Sequence, residues 1–207
     1  MSKGINVYER ARDQFGSIIE AKASELTKQA AANEPCIFLS HIRGDKKQVT
    51  EFGNYIKNAG IDIYLDIEDK ELLAAEDAFD DEKITLFVEA GIRRSTHLMI
   101  FLSEATRKSW WVPFEIGFGK AAKKSLSCVK LRDVKISDLS YLKIVPCLQT
   151  LKELDGYLAK IPRKKSSIKI VAGKHPTIEV DLLAEKSAML FQACGAFHPL
   201  AVYMDKE

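Results

Sequence analysis

Three short apolar runs constrain this chain more than any other feature: Cys36-Ile37-Phe38-Leu39, Ile61-Asp62-Ile63-Tyr64-Leu65 and His97-Leu98-Met99-Ile100-Phe101-Leu102. Each is far too short to span a bilayer and lacks the strict alternation of a half-exposed strand, so each fits a strand covered on both faces. Between the first two, Val49, Phe52, Tyr55 and Ile56 recur at helical spacing up to Ala59-Gly60, where glycine supplies the C-cap. Ile84, Phe87, Val88 and Ile92 predict a second helix ending near Arg93-Arg94. Strand, helix and strand in succession form a right-handed crossover in a parallel sheet. Ser109 can cap the next helix, with Pro113 near its first turn, running to about Lys124. Cys128-Val129-Lys130-Leu131 then reads as a fourth strand. A short strand around Lys143 to Val145 and a helix from Thr150 to Leu158, stopped by Pro162, complete an α/β pattern with a mainly parallel sheet of about five strands.

This core is expected over residues 35–161, between an N-terminal helix in residues 1–34 and a C-terminal extension in residues 162–207. Phe15, Ile19, Ala23, Leu26 and Ala30 form the apolar stripe of the first helix, from about Val7 to Ala32, which Asn33-Glu34-Pro35 stops. In the extension, Ile168 to Val171 and Thr177 to Val180 read as short strands, followed by a helix through Leu190 to Cys194. The acidic stretch from Ile67 to Glu82 reads as a long loop with a helical turn at Leu72 to Ala75.

Bulk properties narrow the function. A formal charge of +2, with basic residues spread along the chain, gives no electrostatic footprint for nucleic acid. Cys36, Cys128, Cys147 and Cys194 are widely spaced, with no CxxC pair, and are expected as reduced core thiols. The residues from Met1 to Phe15 hold no apolar signal core, and no stretch approaches the roughly 20 apolar residues of a membrane span. The expectation is a soluble, cytoplasmic protein with no membrane and no nucleic-acid partner. His175 and His198 precede prolines without metal spacing, and the acidic run lacks the glycine and spacing of an EF-hand. No metal site is expected.

Parallel sheets put ligands outside the carboxyl ends of their strands. Three patches fall there: Ser40 to Asp45, Asp66, and Ser103 to Glu115. Gly44 stands outside any GxGxxG or GxxxxGK[ST] context, so neither a dinucleotide fingerprint nor a P-loop is supported. Trp111 and Glu115 stand four apart, which places them on one helix face. An indole can stack a ring while a carboxylate contacts ribose hydroxyls and supports an oxocarbenium-like transition state. Nicotinamide leaves NAD+ as a neutral base, so its departure needs no general acid and one carboxylate can suffice. On the residues alone, Trp111 as packing and Glu115 as a solvated helix residue remains the plainer reading.

Pro35 to His41 with the following helix, Ile61 to Asp66, and above all His97 to Ser103 followed by Ser109-Trp110-Trp111-Val112-Pro113-Phe114-Glu115 resemble the Toll/interleukin-1 receptor (TIR) domain family. The likeness covers about Pro35 to Ile161 and is greatest to bacterial stand-alone members of Thoeris-type anti-phage defence. It implies a flavodoxin-like TIR fold, with Glu115 as the catalytic glutamate and Trp111 one turn before it. It further implies that Ser40, His41, Arg43, Asp66 and Ser103 line the cleft for NAD+, which is substrate and not a bound cofactor. The implied activity is cleavage of NAD+ to ADP-ribose or a cyclic isomer, with self-association through TIR surfaces and a separate effector that responds to the product. Two alternatives are a non-catalytic TIR interaction module and a nucleoside deoxyribosyltransferase-like enzyme. The segment from Ile67 to Glu82 departs from the family by being acidic where many members carry arginine or glycine.

Overall fold

The computed structural model describes residues 3–9, 35–65, 70–78, 80–132, 134, 140–162 and 198–205. Five parallel strands, β1 (Cys36–Ser40), β2 (Asp62–Tyr64), β3 (His97–Leu102), β4 (Ser125–Lys130) and β5 (Cys147–Leu148), lie in the order β2-β1-β3-β4-β5. Among the described residues, the helices α1 (Lys46–Asn58), α2 (Lys70–Asp77), α3 (Asp81–Arg94), α4 (Trp111–Ala121) and α5 (Leu151–Lys160) accompany them. This is the flavodoxin-like arrangement. The central strands read as continuous apolar runs because both of their faces are covered, and Ile37, Leu98, Met99, Ile100 and Phe101 are wholly buried.

The alternation of side chains along each strand decides what each helix meets. Leu39 and Ile63 face α1, where they crowd Gly53, while Phe38 and Tyr64 face α3, where a Cβ on Gly91 would come within 2.4 Å of Phe38. Leu98 faces α4 at Gly119, whereas Phe101 meets Phe52 of α1 edge-on at 4.9 Å between centroids. Gly91 therefore lets α3 lie closer to the sheet than any side chain would allow. Gly60, at φ 82°, takes the left-handed turn that ends α1, as its place after Ala59 predicts.

Several expectations change. The acidic stretch is not mainly loop: helix α2 occupies Lys70–Asp77. Its strong helix formers outweigh the local charge. Asp80 accepts from the Lys83 amide at 3.1 Å, and Asp81 and Glu82 open α3, where the positive end of the helix dipole favours acidic groups. The last strand is Cys147–Leu148, beyond the expected Lys143 to Val145, part of which lies in a 3-10 turn over Ser140–Ile144. Helix α4 ends at Ala121, short of Lys124. Cys128 and Cys147 are register partners with Cα atoms 4.5 Å apart and form a disulfide, which overturns their reading as reduced core thiols. Strand pairing brings together two cysteines whose sequence spacing gave no hint of it. Cys36 is buried outside that pair, its Sγ 3.8 Å from the Ser95 hydroxyl.

The end of the chain returns to the domain. Leu200 and Met204 are wholly buried, and the Arg132 amide donates to the Tyr203 carbonyl at 2.7 Å. Arg132 also holds the carbonyls of Ala201 and Met204, and the Leu151 amide donates to the Asp205 carbonyl. At the other end, Val7, Tyr8 and Glu9 are helical. The remainder of the expected N-terminal helix and the elements expected between Ile168 and Cys194 lie outside the described residues. No described helix is long and apolar enough to cross a membrane.

Candidate active site

In a sheet of this order the chain reverses its direction of winding between β1 and β3, and a crevice opens at the carboxyl ends of those strands. Ser40 closes β1 there. It has the same parity as Phe38, so its side chain points to the α3–α4 side of the sheet. On that side, the Ser40 hydroxyl donates to Oε2 of Glu115, in the second turn of α4. Serine and glutamate are only 1% and 5% exposed. A carboxylate taken so far from water needs donors, and Ser40 supplies one.

A second pair crosses the same crevice in the opposite sense. Ser103 follows β3 with the parity of Phe101, toward α1, and its hydroxyl donates to Oδ2 of Asp45 at 2.6 Å. Asp45 stands at the N-cap of α1 and is buried, yet its side chain caps no amide. Thus the serine of β1 holds the glutamate of α4, and the serine after β3 holds the aspartate of α1.

The remaining predicted residues spread around this crossing. Half-buried Trp111 opens α4, its amide donating to Ser109 Oγ at 3.2 Å, and its ring meets Phe114 edge-on at 5.9 Å. The Phe114 ring stacks on Phe118, over which the Arg93 guanidinium sits at 4.9 Å. His41 is half-buried and bonds the Leu39 carbonyl through Nδ1 at 3.0 Å, so Nδ1 carries the proton in the neutral ring and Nε2 is the acceptor. Arg43 is turned to Asp77 of α2 at 3.0 Å, an exposed pair that contributes little energy but ties the loop after β1 to that helix. Asp66 lies outside the described residues. The structure therefore joins Ser40 to Glu115, and sends Ser103 and Arg43 to other partners.

The sequence reading places Asp45 at the end of the patch after β1 but gives it no role of its own. Strand parity carried one step past Leu102 would have directed Ser103 toward the start of α1, where Asp45 lies. Among the described residues, no group of three or more His, Cys, Asp or Glu is placed to hold a metal ion. The arrangement sets a buried carboxylate, Glu115, against the Ser40 hydroxyl at the switch point of the sheet.

The sequence signature of the TIR domain matches residues 37–157, more than half of the chain. The chain belongs to the TIR-domain family. No curated protein matches it. The matched span takes in the five strands of this TIR domain together with Ser40, Asp45, Ser103 and Glu115, whereas residues 3–9 and 198–205 pack on it from outside.

Proposed function

We propose that this TIR domain cleaves the nicotinamide–ribose bond of NAD+, with Glu115 as its catalytic carboxylate. The observation that carries the reading is a buried glutamate, bonded by the Ser40 hydroxyl, at the switch point of the sheet. As the C1′–N bond breaks, both electrons leave with nicotinamide, which departs neutral, and positive charge spreads over C1′ and the ring oxygen. A carboxylate in a water-poor site stabilises that charge more than it does the ground state. Water then adds at C1′ and loses a proton to give ADP-ribose. Alternatively, a hydroxyl or an adenine nitrogen of the same molecule closes a cyclic isomer. The Ser109 hydroxyl accepts the Trp111 amide at the start of the same helix, and in this reading the Trp111 ring stacks on a base of the substrate. On the family resemblance, we further propose a cytoplasmic role in bacterial anti-phage defence, with assembly of several copies and a separate effector that reads the product. Membership of the TIR family weighs against the deoxyribosyltransferase-like alternative.

A second reading, an interaction module that signals by assembly, is favoured by one observation. Trp110 is 91% exposed, and Pro113 and Gly117 beside it on α4 are exposed too. An apolar helix face of this kind suits contact with another protein. Purified protein incubated with NAD+ under crowding, with nicotinamide followed by chromatography, separates the two. Release that is lost in Glu115→Ala supports catalysis. Release that survives the substitution removes Glu115 from the mechanism, and no release under any assembling condition leaves the module.

A further inference from the structure

We infer that Asp45 is a positioning residue of this site, which acts through Ser103 to fix the start of the helix that carries Glu115. The inference rests on the proposed reaction for its kinetic consequence, but its structural half stands alone. A helix N-cap is the position where aspartate is most useful to its own helix, because its carboxylate can accept from the orphan amides of the first turn. The Asp45 side chain caps none of them and accepts the Ser103 hydroxyl instead. A carboxylate only accepts, so it fixes the direction of that single proton.

With its proton committed, Ser103 Oγ is left as an acceptor, and the Thr106 amide donates to it at 3.1 Å. Thr106 is wholly buried; its hydroxyl donates to the Ser103 carbonyl at 2.9 Å and accepts from the Ser103 amide at 2.5 Å. The Ser109 amide then donates to the Thr106 carbonyl at 3.0 Å, and Ser109 Oγ receives the Trp111 amide at 3.2 Å. A continuous series of bonds thus runs from Asp45 to the first residue of α4, one turn before Glu115. The segment between β3 and α4 has little regular structure of its own beyond one 3-10 turn over Thr106–Lys108. Its conformation depends on these bonds. Asp45 and Ser40 belong to the same short stretch of chain, so the anchor of α4 and the hydroxyl that meets its glutamate move together.

The test compares Asp45→Leu, Asp45→Asn, Ser103→Ala and the Leu/Ala double variant by amide hydrogen exchange and NAD+ kinetics. In Asp45→Leu, amides of residues 104–112 are expected to exchange about tenfold faster or more, while those of β4 and α5 keep their rates. The expected kcat falls about tenfold with KM within about twofold, since a displaced carboxylate harms chemistry more than binding. Asp45→Asn retains an acceptor and should stay within about threefold of the parent in kcat. Ser103→Ala should match Asp45→Leu, and the double variant should be no worse than either single one, because both break the same series. Should leucine prevent folding, Ser103→Ala alone gives the same reading. Unchanged exchange at 104–112, additive losses, or a rise in KM at constant kcat would each overturn the inference. If the parent releases no nicotinamide, the reaction proposal fails and the exchange data alone decide this one. Activity in the parent with normal exchange in the variants sinks this one and leaves the reaction standing.

Discussion

Glu115 and Asp155 are each bound by a hydroxyl, and under the proposed function they do opposite jobs. Glu115 is buried at the switch point, and the Ser40 hydroxyl donates to it. Asp155 lies partly exposed on α5, where the Tyr55 hydroxyl of α1 donates to it at 2.6 Å. His198 of the returning chain end stands 3.0 Å from that hydroxyl through Nε2, and its Nδ1 accepts from the Leu200 amide. Burial and the bond to Asp155 push the Tyr55 hydroxyl well above the ordinary tyrosine range, so it stays a donor. Three parts of the chain, far apart in sequence, close on Asp155 and leave it a fastening. In the proposed reaction Glu115 differs, because a substrate hydroxyl would take the place of Ser40 at the switch point. On that reading, a fastening differs from a reactive site in which of its partners a ligand replaces.

The comparison breaks most visibly at Glu115. Glu115→Gln keeps the size and a hydrogen-bond acceptor but removes the charge, so NAD+ cleavage should fall by about 10²-fold or more. Thermal stability should hold or rise, because a buried charge is lost and Ser40 still finds an oxygen. A variant with normal turnover would place Glu115 with Asp155 as a structural carboxylate. Ser40→Ala comes next. It deprives the buried carboxylate of one donor, and turnover should fall about tenfold, with roughly 1–3 kcal/mol lost from unfolding stability in denaturant titration.

Asp155→Ala should show the reverse profile. Losing its bond to Tyr55 should cost about 1–2 kcal/mol, which lowers the melting temperature by roughly 2–8 °C for a chain of this size. Turnover per folded molecule should remain that of the parent. A loss of turnover without a loss of stability would show that the seam between α1, α5 and the chain end is coupled to the site.

Much of this was legible because each signal was local. The runs at Cys36, Ile61 and His97 needed no tertiary context to be read as buried strands, and Trp111 with Glu115 at helical spacing directed attention to α4. The parts that escaped depend on pairing across the chain. Strand β5 is two residues long and shows no period. Cys128 meets Cys147 only once β4 and β5 are in register. Asp45 meets its hydroxyl partner in a serine 58 positions away. His198, set aside as a tail histidine without metal spacing, is joined to Tyr55 over a separation of 143. Spacing says which residues share a face of one element, but the fold says which faces meet.

The smallest expected effect lies at the opposite end of the sheet and sharpens the contrast by pH. His97 opens β3 at the edge away from the site, bonded through Nδ1 to the Thr96 hydroxyl at 2.7 Å, and burial lowers its pKa below the usual 6.5. The unfolded chain therefore takes up the proton at a higher pH than the folded one does. The stability contributed by neutral His97 is complete above about pH 6.5 and is lost as the pH falls through that value toward the folded pKa. Denaturant midpoints measured near pH 7.5 and near pH 5.5 should fall further for the parent than for His97→Gln, which cannot take up this proton. Equal losses in the two proteins would show that protonation of His97 is not opposed by the fold. Because His97 and Glu115 stand at opposite ends of the strand–helix layer, this substitution should also leave NAD+ turnover at neutral pH unchanged, and a change there would tie the far edge of β3 to the site.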